Sequence, residues 1–97
     1  MPRGFAIVQV DIHDPARYED YRTQTEASLA PFDGRFIVRG GPTECVEGTW
    51  DAQRTVVIEF PSIDQARDWY RSDRYQQIAA IRREASDANF VLVEGVG

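Results

Sequence analysis

Charged and amide side chains interrupt the apolar strand-like segments of this sequence. Arg39 ends RFIVR, Glu59 lies inside RTVVIEF, and Gln9 and Asp11 lie on one side of GFAIVQVDI. A charge removed from water is costly unless it is paired, so we expect partners such as Arg39 with Glu59 or Asp11 across a sheet. As a site, Arg39 would anchor a carboxylate or enolate, with Glu59 or Asp11 as the base. In the alternative interpretation, the same groups have only a structural role and form an ion cluster at the strand ends.

Aromatic side chains form a second set of candidate site residues. A pocket between helices and sheet could use them to orient a small ligand through phenol hydroxyls: Tyr21, Trp50, Trp69, Tyr70 and Tyr75. The alternative is that they fill the core. Trp50 differs from the others because EGTWD is typical of a turn, where a large aromatic side chain is expected to pack against another surface. A partner subunit could supply that surface.

Several kinds of chemistry lack the residues that they need. All 11 basic residues are Arg, so no lysine can form a Schiff base with a substrate or with pyridoxal phosphate. His13 and Cys45 are the only side chains of their kinds, so we predict no metal site and no bound cofactor. Gly40-Gly41 runs into Pro42 and an acidic stretch, which is not a phosphate-binding loop.

Length and charge limit the class of protein. A chain of 97 residues that is 42% apolar predicts one domain, residues 1–97. The net charge is −5 and the arginines are scattered, which argues against a nucleic-acid partner. No apolar run is long enough to span a bilayer, and a single cysteine suits a reducing compartment, so we predict a cytoplasmic protein without a membrane partner.

Turn and capping signals divide the chain into alternating elements. Helices are expected from Pro15 up to the Pro31–Gly34 break, and from the Ser62 cap onward with an interruption at Ser72-Asp73. The segment TECVEG, residues 43–48, is expected to form a half-exposed ribbon. The predicted strands are 4–12, 35–39, 54–60 and 89–95.

The order of these elements predicts the architecture. Strand, helix, strand, strand, helix, strand is the split βαβ pattern of the α+β class, a ferredoxin-like βαββαβ fold with two helices on one face of a four-stranded antiparallel sheet. The strands at 4–12 and 54–60 are apolar on both sides, so the other face would expose apolar surface. We expect a second copy to cover it, giving a homodimer through the sheet. The alternative cover is the connection 41–53 folding back.

Five segments carry a resemblance to a known family: FIVRGG, VEGTW, VVIEFPS, ARDWYRSDRYQ and VLVEGV. Their types and spacing resemble domain-of-unknown-function family 1330 over nearly the whole chain. The resemblance implies a ferredoxin-like fold that forms a dimeric α+β barrel. That superfamily also includes cofactor-free monooxygenases, lactone isomerases and haem-binding members. No established activity comes with the family, and the site motifs of those other members do not occur here.

The sequence therefore predicts a small homodimer that binds a small organic molecule in a pocket between helices and sheet. If it is an enzyme, its residues favour proton transfer or cofactor-independent oxygenation of an enol-like or carboxylate substrate. The alternative is a non-catalytic structural or regulatory dimer.

Overall fold

The computed structural model describes all 97 residues. None of its helices combines the length and the apolar composition that crossing a bilayer requires. A single 3₁₀ turn, Ala30–Phe32, follows the first helix. The elements in chain order are β1 (Gly4–Ile12), α1 (Pro15–Leu29), β2 (Arg35–Arg39), β3 (Arg54–Phe60), α2 (Ile63–Arg71), α3 (Asp73–Ala85) and β4 (Ser86–Glu94).

Side-chain caps fix where the helices begin. The Asp14 carboxylate accepts a hydrogen bond from the Arg17 amide at 3.1 Å, and proline occupies the first position of α1. The Ser62 hydroxyl accepts from the Gln65 amide at 3.2 Å, as the sequence predicted. Ser72 ends α2 in an extended conformation and caps α3, so the predicted interruption is confirmed.

The four strands form one antiparallel sheet in the order β2-β3-β1-β4. In the central strand β1, Ala6 lies between Ile58 and Leu92 of its two neighbours. All three helices pack on one side, which we call the helix face, and the other side is the open face. The ferredoxin-like fold predicted from the order of elements is confirmed.

A β-bulge in β2 changes which side chains share a face. Phe36 lies opposite Ile58 and Val38 lies opposite Val57, so Ile37 is the extra residue. Without the bulge, Arg39 would share the open face with Ile37. The irregularity instead turns Arg39 to the helix face, where its guanidinium lies 4.1 Å from the centre of the Phe36 ring.

The core lies between the helix face and the three helices, and it is rich in aromatic rings. Trp69 is fully buried, with its ring centre 4.0 Å from that of Tyr75 and 5.4 Å from that of Phe60. Its indole nitrogen donates to the Ser28 hydroxyl at 3.1 Å. The large rings of this block are therefore packed and hydrogen-bonded together.

Two predicted segments differ from the structure. The last strand begins at Ser86 instead of 89, directly after α3, because the Ser86 hydroxyl caps the Arg82 carbonyl at 2.7 Å and the backbone turns extended without a loop. The ribbon predicted at 43–48 does not form. Residues 41–53, which we call the arm, contain no strand, because nothing pairs with their backbone.

The open face remains uncovered in the chain. Val91 and Val93 of β4 are 54% and 42% exposed, and Ile37 is 46% exposed. The arm does not fold back over these residues. Its end is instead tied to the C-terminal end of β1, where the Gln53 backbone amide donates to the Asp11 carboxylate and the Gln53 side-chain oxygen accepts from the Ile12 amide.

Candidate functional site

A narrow cleft opens between α1 and the helix face of the sheet. We call it the α1 cleft. It encloses about 350 Å³ of empty space, including its open mouth. One wall is apolar and the other side carries hydroxyl and guanidinium groups. Its lining consists of Val8, Tyr18, Tyr21, Arg22, Thr25, Phe36, Arg39, Arg54, Val56, Ile58 and Arg82.

The hydroxyl side of the cleft comes from the inward stripe of α1. Tyr18, Tyr21 and Thr25 recur at three- to four-residue spacing and are all buried. The Tyr21 hydroxyl lies 2.8 Å from the hydroxyl of Tyr75 on α3. Burial raises the pKa of Tyr21 well above its usual value, and the neighbouring Tyr75 adds to the shift. Burial also raises the pKa of Tyr75. Both phenols are therefore neutral near neutral pH.

The cleft lining contains four arginines and no carboxylate. Two of these arginines are paired outside the cleft. Arg22 binds Glu19 within its own helix, and Arg39 lies 3.5 Å from the Glu26 carboxylate and donates to the Arg22 carbonyl at 3.1 Å. The Glu26 side chain is 74% exposed, so this ion pair contributes little stability.

The other two arginines, Arg54 and Arg82, form no ion pair, and the Nε of each lacks a hydrogen-bond partner in the chain. Arg82 is only 6% exposed. Its guanidinium carbon lies 6.0 Å from the Tyr21 ring centre and 5.3 Å from that of Phe90. Burial pulls the pKa of Arg82 down, but the neighbouring tyrosine hydroxyls, with Tyr75 first, leave it raised.

Arg54 is half-buried at the start of β3 and reaches the cleft beside Gly40. Gly40 adopts φ +76°, and a Cβ there would overlap the Arg54 guanidinium, so the glycine makes room for it. Arg54 lies 5.8 Å from the Tyr18 ring centre. Burial raises the pKa of Tyr18, while Arg54 and Arg82 oppose the shift. Both arginines therefore act on the same hydroxyl.

The structure brings only some of the predicted site residues together. Arg39 and Tyr21 line the cleft, and Tyr75 supports Tyr21 from behind. The pairing predicted for Arg39 with Glu59 or Asp11 is wrong. Glu59 lies on the open face and binds Arg35 at 2.7 Å, because the two face each other across β2 and β3. Asp11 accepts the Gln53 amide at the root of the arm instead.

The remaining aromatic candidates lie away from the cleft. Trp69 is in the core, and Tyr70 packs against Phe90 and Tyr75 at ring-centre distances of 5.1 and 5.6 Å. Trp50 is 46% exposed on the arm. There it borders a separate, wide hollow of about 680 Å³ together with Cys45 and acidic residues. That hollow shares no lining residue with the α1 cleft.

Sequence reasoning missed Arg54 and Arg82 as site residues, although the sequence carries a signal for both. Arg54 has the parity of Val56 and Ile58, which places it on the helix face. Arg82 follows Tyr75 and Ile78 on the buried stripe of α3. A charged residue at a buried position of an amphipathic pattern is the feature that would have identified each of them.

Comparisons with solved structures agree with the observed fold. A protein of unknown function from Rhodopseudomonas palustris, RPA0582, is 14% identical with a TM-score of 0.75 over 99% of this chain and 84% of its own. SnoaB, a cofactor-independent oxygenase from Streptomyces nogalater, is 17% identical with a TM-score of 0.66 over 100% of this chain and 96% of its own.

A third solved structure, from Bacteroides fragilis, is described as a dimeric protein of unknown function with a ferredoxin-like fold. It is 16% identical with a TM-score of 0.62, covering 95% of each chain. At these identities the likeness shows the fold alone. No curated protein matches the sequence.

A family model gives a more specific relationship than the fold. The model described as "Domain of unknown function (DUF1330)" matches residues 3–96, nearly the whole chain, which agrees with the resemblance of the five quoted segments. The chain therefore belongs to the DUF1330 family.

Proposed function

We propose that the protein binds a small organic molecule in the α1 cleft. The observation that carries this proposal is the composition of the cleft, where the Tyr21 hydroxyl and the arginines face an apolar wall that includes Val56 and Phe36. Ligand sites are typically apolar concavities of roughly 300–1,000 Å³ with a few converging polar groups. Most of the space in the α1 cleft lies at its open mouth, and its enclosed part admits little more than a water molecule, so a ligand must displace lining side chains.

Entry of a ligand requires side chains at the mouth to move. Arg39 is held there by an exposed carboxylate, Glu26, and by one backbone carbonyl. The ion pair is exchangeable at low cost because the Glu26 carboxylate faces water. A carboxylate or enolate on the ligand could replace Glu26 as the partner of Arg39, which is the anchoring role that the sequence suggested for this residue.

The residues of the cleft favour cofactor-independent chemistry on an enol-like or carboxylate substrate. No carboxylate lines the cleft, and Glu59 and Asp11 lie elsewhere, so a tyrosine is the available proton-carrying group. Burial raises the pKa of Tyr21, so its hydroxyl stays protonated and can donate a hydrogen bond to a developing oxyanion. SnoaB, which shares the fold, is described as a cofactor-independent oxygenase, and this supports the same class here.

We also propose that the protein is a homodimer through the open face. The support is the exposed apolar surface of that face, including Val91, Val93 and Ile37, together with the dimeric description of the Bacteroides fragilis relative. A stable interface typically buries about 800 Å² on each partner. The Glu59–Arg35 pair would then lie at the boundary between subunits.

Thermal-shift screening tests the ligand proposal. We expect members of a panel of small carboxylates, lactones and phenols to raise Tm, since a ligand at 100 times its Kd adds about 2.7 kcal/mol. Arg39→Ala should lose the shift while the unliganded Tm changes by only a few degrees. Arg71→Ala, an exposed arginine without an ion pair, is the matched control and should keep it. Absence of any shift across the panel would favour the non-catalytic structural or regulatory dimer.

Sedimentation tests the homodimer independently. We expect the wild type to sediment as two chains and Val91→Asp, which places a charge on the open face, to sediment as one. Ala80→Asp, at an exposed position of α3 on the opposite side, should remain dimeric. A wild-type protein that sediments as one chain at all concentrations would overturn this proposal.

A further inference from the structure

We infer that the ligand of the α1 cleft is an organic anion, and that Arg54 and Arg82 bind its negative group. This inference rests on the proposed function and assigns the chemical class of the ligand. It adds to Arg39 at the mouth two further arginines of the same cleft that recognise charge.

The first observation behind this inference is the burial of Arg82. A guanidinium remains charged at any accessible pH, so it cannot escape the cost of burial by losing a proton. Arg82 is 6% exposed and has no carboxylate within reach. The groups around it are the neutral hydroxyls of Tyr75 and Tyr21 and the ring of Phe90. An unpaired buried charge of this kind is rare and indicates a partner outside the chain.

The second observation is the position of Arg54. Its Nε is also buried without an acceptor, and it borders the same cleft as Arg82. Gly40 leaves the space that its guanidinium occupies. Two like charges that face one cleft repel each other, and the other two lining arginines, Arg22 and Arg39, already have carboxylate partners in Glu19 and Glu26. An anion between Arg54 and Arg82 would relieve both costs.

The other lining residues indicate what kind of molecule carries the negative group. Phe36, Val8, Val56 and Ile58 form an apolar wall, which a hydrated inorganic ion would not cover. Guanidinium groups bind planar carboxylates through paired hydrogen bonds. The combination fits a carboxylate or enolate attached to an apolar or aromatic body.

Matched ligand pairs test the inference. Benzoate, phenylacetate and cinnamate would be titrated by calorimetry into the wild-type protein beside their primary amides, which have nearly the same shape without the charge. We expect the acids to bind at least about tenfold more tightly than the amides, and the acid affinity to fall as salt is raised. Inorganic sulfate and phosphate form a separate arm and should compete only weakly.

Arg82→Gln identifies the residue responsible. This variant should bind the acids at least about tenfold more weakly and change amide binding far less, because it removes the charge and keeps a shorter, neutral amide donor. Its unliganded Tm should equal or exceed that of the wild type, since an unpaired buried charge has been removed. Arg74→Gln, an exposed arginine on the same helix, changes the net charge equally and should behave as wild type.

Each outcome bears on a separate claim. Amides that bind as tightly as acids, or full acid binding by Arg82→Gln, would overturn the anion inference and leave the proposed function standing. Sulfate or phosphate that binds as tightly as the acids would overturn the assignment of an organic ligand. If neither acids nor amides bind, the proposed function fails and the inference fails with it.

Discussion

The two ends of the helix layer solve the problem of buried polar groups in opposite ways. In the aromatic block, the Trp69 indole of α2 binds Ser28 of α1 and the Tyr75 hydroxyl of α3 binds Tyr21 of α1, so these buried polar atoms find partners on neighbouring helices. In the α1 cleft, the Nε atoms of Arg54 from β3 and Arg82 from α3 lack partners. The difference indicates that one end of the layer is built for stability, and that the other retains unsatisfied groups of the kind that binding requires.

Trp69→Ala should have the largest effect, because it tests the stable end of the layer. Removing a fully buried tryptophan should cost about 3–5 kcal/mol of unfolding free energy and lower Tm by roughly 12 °C or more. Urea denaturation followed by circular dichroism measures the loss. Trp50→Ala removes the same side chain from the exposed arm and should change stability by no more than about 0.5 kcal/mol. Equal losses would contradict the assignment of Trp69 to the core.

The Tyr21–Tyr75 hydrogen bond joins the two ends, and the stability that it contributes should fall at alkaline pH. The folded pKa of each phenol is raised above the unfolded value of 10.0, so their stabilising contribution is complete below about pH 10 and is lost as the pH rises further. Lysine is absent from the chain, so no ammonium side chain titrates in this range.

Tyr75→Phe provides the control for that pH dependence. It should cost about 1–3 kcal/mol at pH 7, because the buried Tyr21 hydroxyl loses its partner. The stability of the variant should then fall less steeply between pH 9.5 and 11 than that of the wild type, because about one group fewer titrates in this range. Denaturant curves at each pH measure both quantities. A wild-type stability that stays constant through this range would show that the phenols are not held neutral by burial.

Gly40→Ala should have the smallest effect on stability and a clear effect on the cleft. The φ of +76° makes alanine unfavourable by about 1–2 kcal/mol, and the added methyl group displaces the Arg54 guanidinium. Acid binding should therefore weaken. Gly41→Ala has open space around it and should change neither stability nor binding. If the two variants bind benzoate equally, Arg54 has no part in the site.

The architecture could be predicted because each local signal agreed with the global pattern. The β-branched runs GFAIVQVDI and RTVVIEF, with caps at Asp14 and Ser62, were sufficient for the order of elements. Because both sides of these strands are apolar, the sequence did not determine which side faces the helices. The start of β4 was missed because Ser86, Asp87 and Asn89 have low strand propensity. Their strand pairing with β1 overrides that preference.

The candidate site was harder to predict because it depends on irregular geometry. Arg39 reaches the cleft because of the bulge at Ile37, and no residue type in RFIVR predicts that bulge. The partner of Glu59 depends on the register between β2 and β3, which one sequence does not determine. Arg54 and Arg82 could have been found by treating charged residues at buried positions as informative.

Nuclear magnetic resonance of the arginine Nε–H groups tests the binding role of the α1 cleft most directly, because it observes the two unpartnered atoms themselves. During a titration with benzoate, we predict that the Nε–H signals of Arg54 and Arg82 shift together and saturate, while those of the exposed Arg71 and Arg74 stay in place. Saturable binding of benzoate that leaves the Arg54 and Arg82 signals unchanged would contradict the account.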